Sequence, residues 1–399
     1  MKETTSWPRV AALYLAAITV AFQYGKVPGA LPVLRAELDL SLVTSGWLVS
    51  TLNLITAVLG AVFGALADRI GYLRAVSLGM LLTAGASLMG GFAETAGVLL
   101  VARGFEGFGL AFTIVAVAPL ILAQCAPHDR QKALGFYGAY MPAGMGVMLL
   151  AAGPLIALTG WRGLWFANAG LLIAVLLIVR FALHGSVVVA EKRKPHNPVA
   201  GLLDVMRRPG PWLLAICFGV YAAHYLVIMS FLPLILVEQD GFSLTQATSF
   251  GAIAVTINVM GSVMSGLLLA RGVPRVSLIV FASIVMGATA LGIFWVELPF
   301  AARFALILIQ STVVGLIPGS LWAGAPLHAP TPAQAASVNG LMQQGSSLGN
   351  LLGPPIAGLL VSMSGTWYAA SLMVFVLAII CATAGVFLGR IEKDIPLAR

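Results

Sequence analysis

Four ionisable side chains lie inside long apolar runs of this sequence, where charge is unexpected. Lys26, Arg103 and Arg303 are bases, and Glu106 is an acid. A charged side chain inside a hydrocarbon layer costs about 3 kcal/mol or more, so such residues usually face a partner or a polar cavity. Because the bases outnumber the acid, we expect a site that attracts an anion and replaces part of its hydration shell.

The surroundings of Lys26 leave two interpretations open. Gly25, Pro28 and Gly29 flank it and are expected to loosen the helix, as in the broken helices that bind solutes inside membranes. Lys26 then either contacts a bound solute or directs its amine outward to the membrane surface. Gln23 lies one helical turn earlier and is predicted to share its face.

Arg103 and Glu106 are three residues apart, so a helix places them on one face as a pair. The pair either serves a solute and its coupling ion or is a purely structural ion pair. His224 in the second half of the chain has the same ambiguity, since a histidine can carry a proton or simply pack. Further side chains predicted to line a solute site, or to hydrogen-bond between helices, are Tyr24, Tyr140, Gln310 and Gln343.

The composition shows which elements must position these residues. Of 399 residues, 60% are hydrophobic and 9% charged, whereas a water-soluble domain has roughly 25% charged residues. This is therefore an integral membrane protein. Apolar runs fall near 10–34, 43–67, 75–95, 97–124, 133–158, 163–183, 210–236, 246–270, 275–296, 299–325, 333–361 and 366–389. We predict an all-α fold of twelve transmembrane helices in two six-helix bundles, 1–183 and 210–399, joined by a cytoplasmic linker, 184–209.

The basic residues predict the orientation. Seventeen of the 22 Lys and Arg residues lie in segments on one side and two on the other, so both termini and the linker are predicted to be cytoplasmic. The net charge of +8 thus reflects membrane topology, and no nucleic-acid partner is expected. We place the chain in the plasma membrane, as in a bacterial inner membrane, and expect it to function as a monomer.

The two halves repeat weakly at an offset near 200 residues, which predicts two similar bundles with a solute site between them near the midplane. The matching pairs are Leu31-Pro32 with Leu232-Pro233, Arg103 with Arg303, and Gly153-Pro154 with Gly353-Pro354. The three cysteines have no metal-ligand spacing, and neither paired catalytic acids nor a nucleotide loop is present. No metal, cofactor or enzymatic activity is expected.

Two short motifs resemble those of a known family. The stretch Gly64-Ala-Leu-Ala-Asp-Arg-Ile-Gly-Tyr-Leu-Arg74 resembles the signature between the second and third spans of the major facilitator superfamily. Arg103 with Gly107 resembles the Arg-x-x-x-Gly signature of its fourth span, and span lengths, short loops and Trp161-Arg162 look loosely like its cyanate and nitroimidazole branch. The resemblance implies a secondary transporter working by alternating access.

The substrate class follows from the buried bases. We expect a small organic or inorganic anion such as a carboxylate, and proton coupling is left open, with Glu106 and His224 as the coupling residues. The alternative is a proton-coupled multidrug efflux antiporter, because Phe and Met are abundant as apolar lining.

The first motif also predicts a gate. Gly64 would permit close helix approach and Gly71 a tight turn, while Thr331 is expected to cap the eleventh helix in a capping box with Gln334. The resemblance puts Asp68 against that helix end and a nearby base, which would latch the cytoplasmic side shut. The gating residues are predicted to be Gly64, Asp68, Arg69, Gly71, Arg74 and Thr331.

The latch makes a direct prediction. Asp68→Asn removes the charge that the helix end would attract, so transport should fall while membrane insertion remains intact. Uptake and the amount of protein in the membrane fraction are measured together. Unchanged transport in the variant would contradict the latch.

Overall fold

The structure, a computed structural model, describes residues 4–185, 204–295, 298–331 and 334–393, leaving out the side chains at 59–62, 64, 65, 68, 131, 294, 295 and 336. The described residues are helical with short turns and include no strand. A hydrocarbon environment explains this, since only a helix or a closed barrel satisfies every backbone N–H and C=O there.

The first six spans occupy 7–182. They are Trp7–Leu38; a second span made of Leu42–Ser50, the 3-10 turn Thr51–Asn53 and Leu54–Ile70; Tyr72–Gly91; Ala96–Gln124; and the fifth and sixth spans within Tyr140–Ala182. A short helix, Arg130–Tyr137, precedes the fifth. Gly160 separates the fifth and sixth spans with φ 69° and ψ 172°, a backbone conformation that glycine adopts without a steric penalty.

The last six spans occupy 209–393. They are Pro209–Glu238; Leu244–Ala270; Arg275–Trp295; a tenth span made of Phe300–Val314 and Leu316–Gly324; Ala335–Ser364; and Tyr368–Lys393. A 3-10 turn, Ala325–His328, follows the tenth span.

These helices agree with twelve membrane crossings. Nine helices in the described part of the chain are long and apolar enough to span a membrane. One of them, Tyr140–Ala182, contains two spans, and the interrupted second span adds another. The eleventh, Ala335–Ser364, completes the set, although its Asn, Gln and Ser residues make it more polar. The predicted all-α, twelve-helix fold is confirmed.

The chain divides into two compact units. The first comprises Met1–Leu40, Trp47–Lys192 and Ser230–Ile253, and the second comprises Ser41–Gly46, Arg193–Met229 and Ala254–Arg399. Each unit therefore includes a segment from the other half of the sequence. The predicted boundaries at 183 and 210 stay a prediction, because 186–203 lies outside the described residues.

In the first unit, close packing explains why Gly25 and Gly29 occur beside Lys26. A Cβ at Gly25 would lie 2.5 Å from the Met145 carbonyl oxygen, and one at Gly29 would lie 2.6 Å from the Ala152 Cβ. The expected loosening of the first helix is wrong, since Trp7–Leu38 runs without a break through Pro28. These glycines let the first and fifth spans approach closely.

In the second unit, the glycine repeat of the eleventh span packs against the seventh. Cβ atoms at Gly345 and Gly349 would lie 2.3 Å from the Ala215 carbonyl oxygen and 1.9 Å from that of Gly219. Larger side chains at either glycine would push the two helices apart. Close packing of small residues stabilises this contact between helices. The hydrophobic effect does not, because lipid tails are as apolar as the side chains.

The predicted capping box before the eleventh span is wrong. The helix begins at Ala335, and Gln334 in the N-cap position makes no side-chain capping bond. The Thr331 hydroxyl donates instead to Gln334 Oε1 at 2.9 Å, and Gln334 Nε2 donates to Asp204 Oδ2 at 3.0 Å. A hydrogen bond to a carboxylate is stronger than one to a neutral group, and the Gln334 amide bonds Asp204 and Thr331 instead of a backbone N–H of the helix.

Candidate functional site

The first unit brings Lys26, Arg103 and Glu106 together in its interior. The Lys26 ammonium pairs with Glu106 Oε1, and Arg103 Nη1 lies 2.6 Å from Glu106 Oε2. All three side chains are at most 1% exposed. The predicted same-face pair of Arg103 and Glu106 is therefore confirmed. The alternative of a Lys26 amine directed outward is wrong, because its partners lie inside the unit. We call these three residues the buried triad.

Arg103 joins three spans through the geometry of its guanidinium group. Its Nε donates to the Leu48 carbonyl oxygen at 2.9 Å, and its Nη2 donates to the Gln23 carbonyl oxygen at 3.0 Å. Its Nη1 points in a third direction and donates to Glu106 Oε2. An ammonium group could not serve acceptors in three fixed directions with the same planar geometry.

Neutral polar side chains surround the ammonium of Lys26. It donates to Ser87 Oγ at 2.9 Å and lies 4.7 Å from the centre of the Trp165 ring, a cation–π contact. Gln23 Nε2 donates to Asn168 Oδ1 at 2.7 Å. Among the described residues, Gln23 Oε1 and Asn168 Nδ2 have no hydrogen-bond partner. One acceptor and one donor are thus available beside the triad.

Three members of this environment were not predicted. Ser87, Trp165 and Asn168 belong to the third and sixth spans, and neither span carries a charge in its interior that would indicate a site. Asn168 had a usable signal, since it is an isolated amide within an apolar run, and such residues usually contact another helix. Ser87 and Trp165 had none, because both residue types are common in membrane helices.

The electrostatics of the triad are unbalanced. Two cations share one carboxylate, so the fully ionised triad carries a net charge of +1 in a region that excludes water. Arginine offers five donors and lysine three, more than a single carboxylate can accept. Buried charges are tolerated only when they are paired, and removing one partner typically costs about 3–5 kcal/mol. The arrangement is therefore suited to a second anion.

In the second unit, His224 and Gln310 lie near each other in the interior. Both are at most 1% exposed. Gln310 Nε2 donates to the Met286 carbonyl oxygen at 3.1 Å. The His224 ring lies beside Gln310, but neither of its nitrogens has a partner among the described residues with the geometry of a hydrogen bond. The predicted coupling role of His224 stays a prediction.

The remaining predicted lining residues are dispersed. Tyr24 is buried in the first unit, and its hydroxyl donates to Asn53 Oδ1 at 3.3 Å. Tyr140 is half-buried there and stacks on a neighbouring tyrosine ring. In the second unit, Arg303 is half-buried in the first turn of the tenth span, and Gln343 is exposed on the eleventh. The structure does not bring Arg303 or Gln343 to the buried triad.

The predicted gating residues are only partly described. Gly71 makes the predicted tight turn with φ 89°, and its N–H donates to the Ala67 carbonyl oxygen at 3.0 Å. Arg69, Arg74 and Thr331 are exposed. The surroundings of the Asp68 side chain and of Gly64 fall outside the described side chains, so the latch stays a prediction.

Metal binding has no support in the part of the chain that the structure describes. No group of three or more His, Cys, Asp or Glu side chains in those residues is placed to hold a metal ion.

Comparison with known proteins identifies relatives of several kinds. A puromycin resistance protein of Streptomyces alboniger is 32% identical over 172 residues, which are 43% of this chain and 34% of the relative. The chain spans about a third of the length of the first relatives that it matches. A 3-(3-hydroxy-phenyl)propionate transporter of Escherichia coli K12 is 27% identical over 80% of this chain and 78% of its own length.

Solved structures match the whole chain. A bacterial homolog of the human lysosomal transporter Spinster, in an inward-facing and unoccupied conformation, has a TM-score of 0.82 with 16% sequence identity. The match covers 99% of this chain and 98% of the other, and at this identity it establishes the fold alone. The family model described as Major Facilitator Superfamily matches residues 13–344. The chain is therefore a multi-pass membrane protein that belongs to the major facilitator superfamily.

Proposed function

We propose that this transporter carries a small organic anion with a carboxylate group by alternating access and couples its movement to protons. The observation that supports the proposal is the buried triad, in which two cations share one acid at most 1% exposed. A substrate carboxylate would bind Lys26 and Arg103 through the charge-assisted bonds that Glu106 now accepts. Without substrate, the Glu106 carboxylate then occupies the position that the carboxylate of the substrate would take.

Charge balance predicts the direction of coupling. A proton on Glu106 neutralises the acid and leaves two cations without an anion, which favours substrate binding. Conversely, a bound carboxylate competes with ionised Glu106 for the same donors and favours its protonation. Each ligand then strengthens binding of the other by the same factor. Mutual reinforcement corresponds to symport of proton and anion, whereas competition would correspond to exchange.

Two further points support the proposal. The Escherichia coli relative that matches most of this chain is named as a transporter of a phenylpropionate, which is an organic carboxylate. The seventeen-to-two bias of basic residues favours cytoplasmic termini in a bacterial inner membrane. We propose a monomer as the functional unit, with the small solute and protons as its ligands.

A second candidate is efflux of cationic or apolar drugs. It is favoured by relatives named for puromycin resistance and, in Mycolicibacterium smegmatis, as a multidrug efflux pump. The buried triad opposes a cationic substrate, because its net positive charge would repel one. The two candidates differ in the sign of charge that the transporter prefers.

The test compares an anion with its neutral counterpart. Purified full-length protein in liposomes is assayed for uptake of benzoate, benzamide and a cationic dye, with and without an inward proton gradient. We expect the protein to take up benzoate but neither benzamide nor the dye. The inward proton gradient should increase the uptake of benzoate. Lys26→Met should weaken benzoate binding about 10- to 100-fold, the value of one charge-assisted hydrogen bond. Arg103 and Glu106 remain as a neutral pair, so the variant should still fold.

The matched control is Lys132→Met, which removes an exposed lysine outside the spans. It should transport like the wild type. Equal uptake of benzoate and benzamide, or a Lys26→Met variant as active as the control, would contradict the proposal. Preferred transport of the dye would favour efflux instead.

A further inference from the structure

Two cysteines that are 164 residues apart in the chain meet inside the second unit. The thiol of Cys217, on the seventh span, donates to the Cys381 carbonyl oxygen at 3.8 Å, and the thiol of Cys381, on the twelfth span, donates to the Cys217 carbonyl oxygen at 4.0 Å. Both side chains are 0% exposed. Because each sulfur reaches the backbone of the other cysteine, the two side chains lie side by side where the helices touch.

This arrangement differs from that of a single cysteine in a core. A single buried cysteine acts as a small apolar side chain, whereas an S–S bond requires two cysteines whose side chains face each other at short range. The thiols of Cys217 and Cys381 also contact each other directly. Opposed side chains in direct contact are the arrangement from which a disulfide can form by rotation of the side chains.

The surroundings of the cysteine pair favour a neutral product of oxidation. Between their first and last turns, the seventh and twelfth spans contain no Asp, Glu, Lys or Arg. A sulfinate, the product of further oxidation of one thiol, would be a buried charge without a counter-charge on these spans. A disulfide is uncharged, like the two thiols that it replaces, so it can form without placing a charge in the apolar interior.

The position of the cysteine pair decides which redox partners can reach it. Ile216 and Ile380, which directly precede the two cysteines, are 42% and 41% exposed, so the pair lies just behind the exposed surface of the two spans. Glutathione keeps cytoplasmic thiols reduced, but it is ionic, and charged groups enter hydrocarbon only at a high cost in free energy. A quinone is apolar and dissolves in the bilayer. The oxidation state of this pair should therefore follow the quinones of the membrane.

We infer that Cys217 and Cys381 form a site of reversible oxidation, at which a membrane-soluble quinone converts the two thiols to a disulfide. Two S–H bonds break and one S–S bond forms. The two electrons and two protons pass to the quinone, which leaves as the quinol. The disulfide links the seventh span to the twelfth. This site goes beyond the proposed carboxylate transport, because neither cysteine belongs to the buried triad.

Oxidation of the full-length protein in liposomes tests this assignment. The protein is incubated with duroquinone, whose ring positions are all substituted, so that thiols do not add to the ring. It is then unfolded, and its remaining thiols are counted by alkylation and mass spectrometry. We expect the count to fall from three per chain to one. Digestion without reductant should release one linked pair of peptides, which contain Cys217 and Cys381, and dithiothreitol should separate them.

The matched control is Cys125→Ala, which removes the third cysteine, buried in the first unit. It should form the same linked pair and retain no thiol after oxidation. Cys217→Ala and Cys381→Ala should each keep both of their remaining thiols. Oxidation of the wild type should also raise its thermal unfolding temperature, because a disulfide that closes a long loop constrains the unfolded chain. Neither single alanine variant should show that increase.

The charged oxidant hexacyanoferrate(III) provides the second comparison, since it does not dissolve in hydrocarbon. It should leave the wild type with three thiols. Three thiols after duroquinone, a link that involves Cys125 or a second chain, or equal oxidation by hexacyanoferrate(III) would overturn the assignment. A lower unfolding temperature of the oxidised protein would also do so, because the bond would then require distortion of the helices. None of these measurements uses benzoate, so they stand independently of the carboxylate proposal.

Discussion

Glu106→Gln is expected to give a transporter that binds a carboxylate tightly at every pH and no longer accumulates it with protons. In the wild type, anion affinity should rise as the pH falls, by at most about tenfold per pH unit when one proton accompanies each anion. Glutamine resembles the protonated acid, so Lys26 and Arg103 are permanently available. The variant's affinity should therefore be flat with pH and at least equal to that of the wild type at low pH.

The same substitution should change stability in a characteristic way. Two buried cations without an anion are unfavourable by about 3–5 kcal/mol, so the thermal unfolding temperature should fall without ligand. Added anion should then raise it more than in the wild type, because binding to the folded state alone stabilises it. Equilibrium binding of benzenesulfonate between pH 5.5 and 8 measures the affinity, since a sulfonate remains ionised throughout.

The control for Glu106→Gln is Glu94→Gln, at an exposed acid before the fourth span. It should keep the wild-type pH dependence and thermal stability. If Glu106→Gln retained the pH dependence, another group would be the coupling site. If it lost anion binding entirely, Glu106 would be a purely structural partner of the two bases.

Arg103→Lys should be nearly as damaging as loss of the charge, although it conserves that charge. Arg103 donates to Glu106 at 2.6 Å, to the Leu48 carbonyl at 2.9 Å and to the Gln23 carbonyl at 3.0 Å. A shorter, single ammonium cannot reach acceptors on three spans. We expect the free energy of unfolding to fall by about 1–3 kcal/mol, the cost of leaving buried polar groups unpaired, and benzoate affinity to fall with it.

Thermal unfolding in detergent and benzoate uptake measure the two effects of Arg103→Lys. Arg180→Lys, at an exposed position in the last turn of the sixth span, is the matched control and should change neither. A variant Arg103→Lys with wild-type stability and uptake would show that only the charge matters. The geometric role assigned to the guanidinium would then be wrong.

The pairing of Arg103 with Glu106 could be predicted because it is local. Residues three apart on a helix are neighbours whatever the rest of the chain does. The tight turn at Gly71 is local in the same sense. Two other local predictions failed for tertiary reasons. The glycines near Lys26 pack against the fifth span, and Gln334 bonds Asp204 in place of capping its own helix.

The sequence by itself determined the twelve apolar spans, the excess of buried bases and the single buried acid between them. These properties depend on the hydrophobicity and charge of each segment, and these act on each membrane span separately. Only the tertiary structure decided that Lys26 pairs with Glu106, 80 residues later, and that Ser87 and Asn168 complete its surroundings. The reason is that which face a span presents to its neighbours depends on helix packing, and packing involves residues distant in the chain.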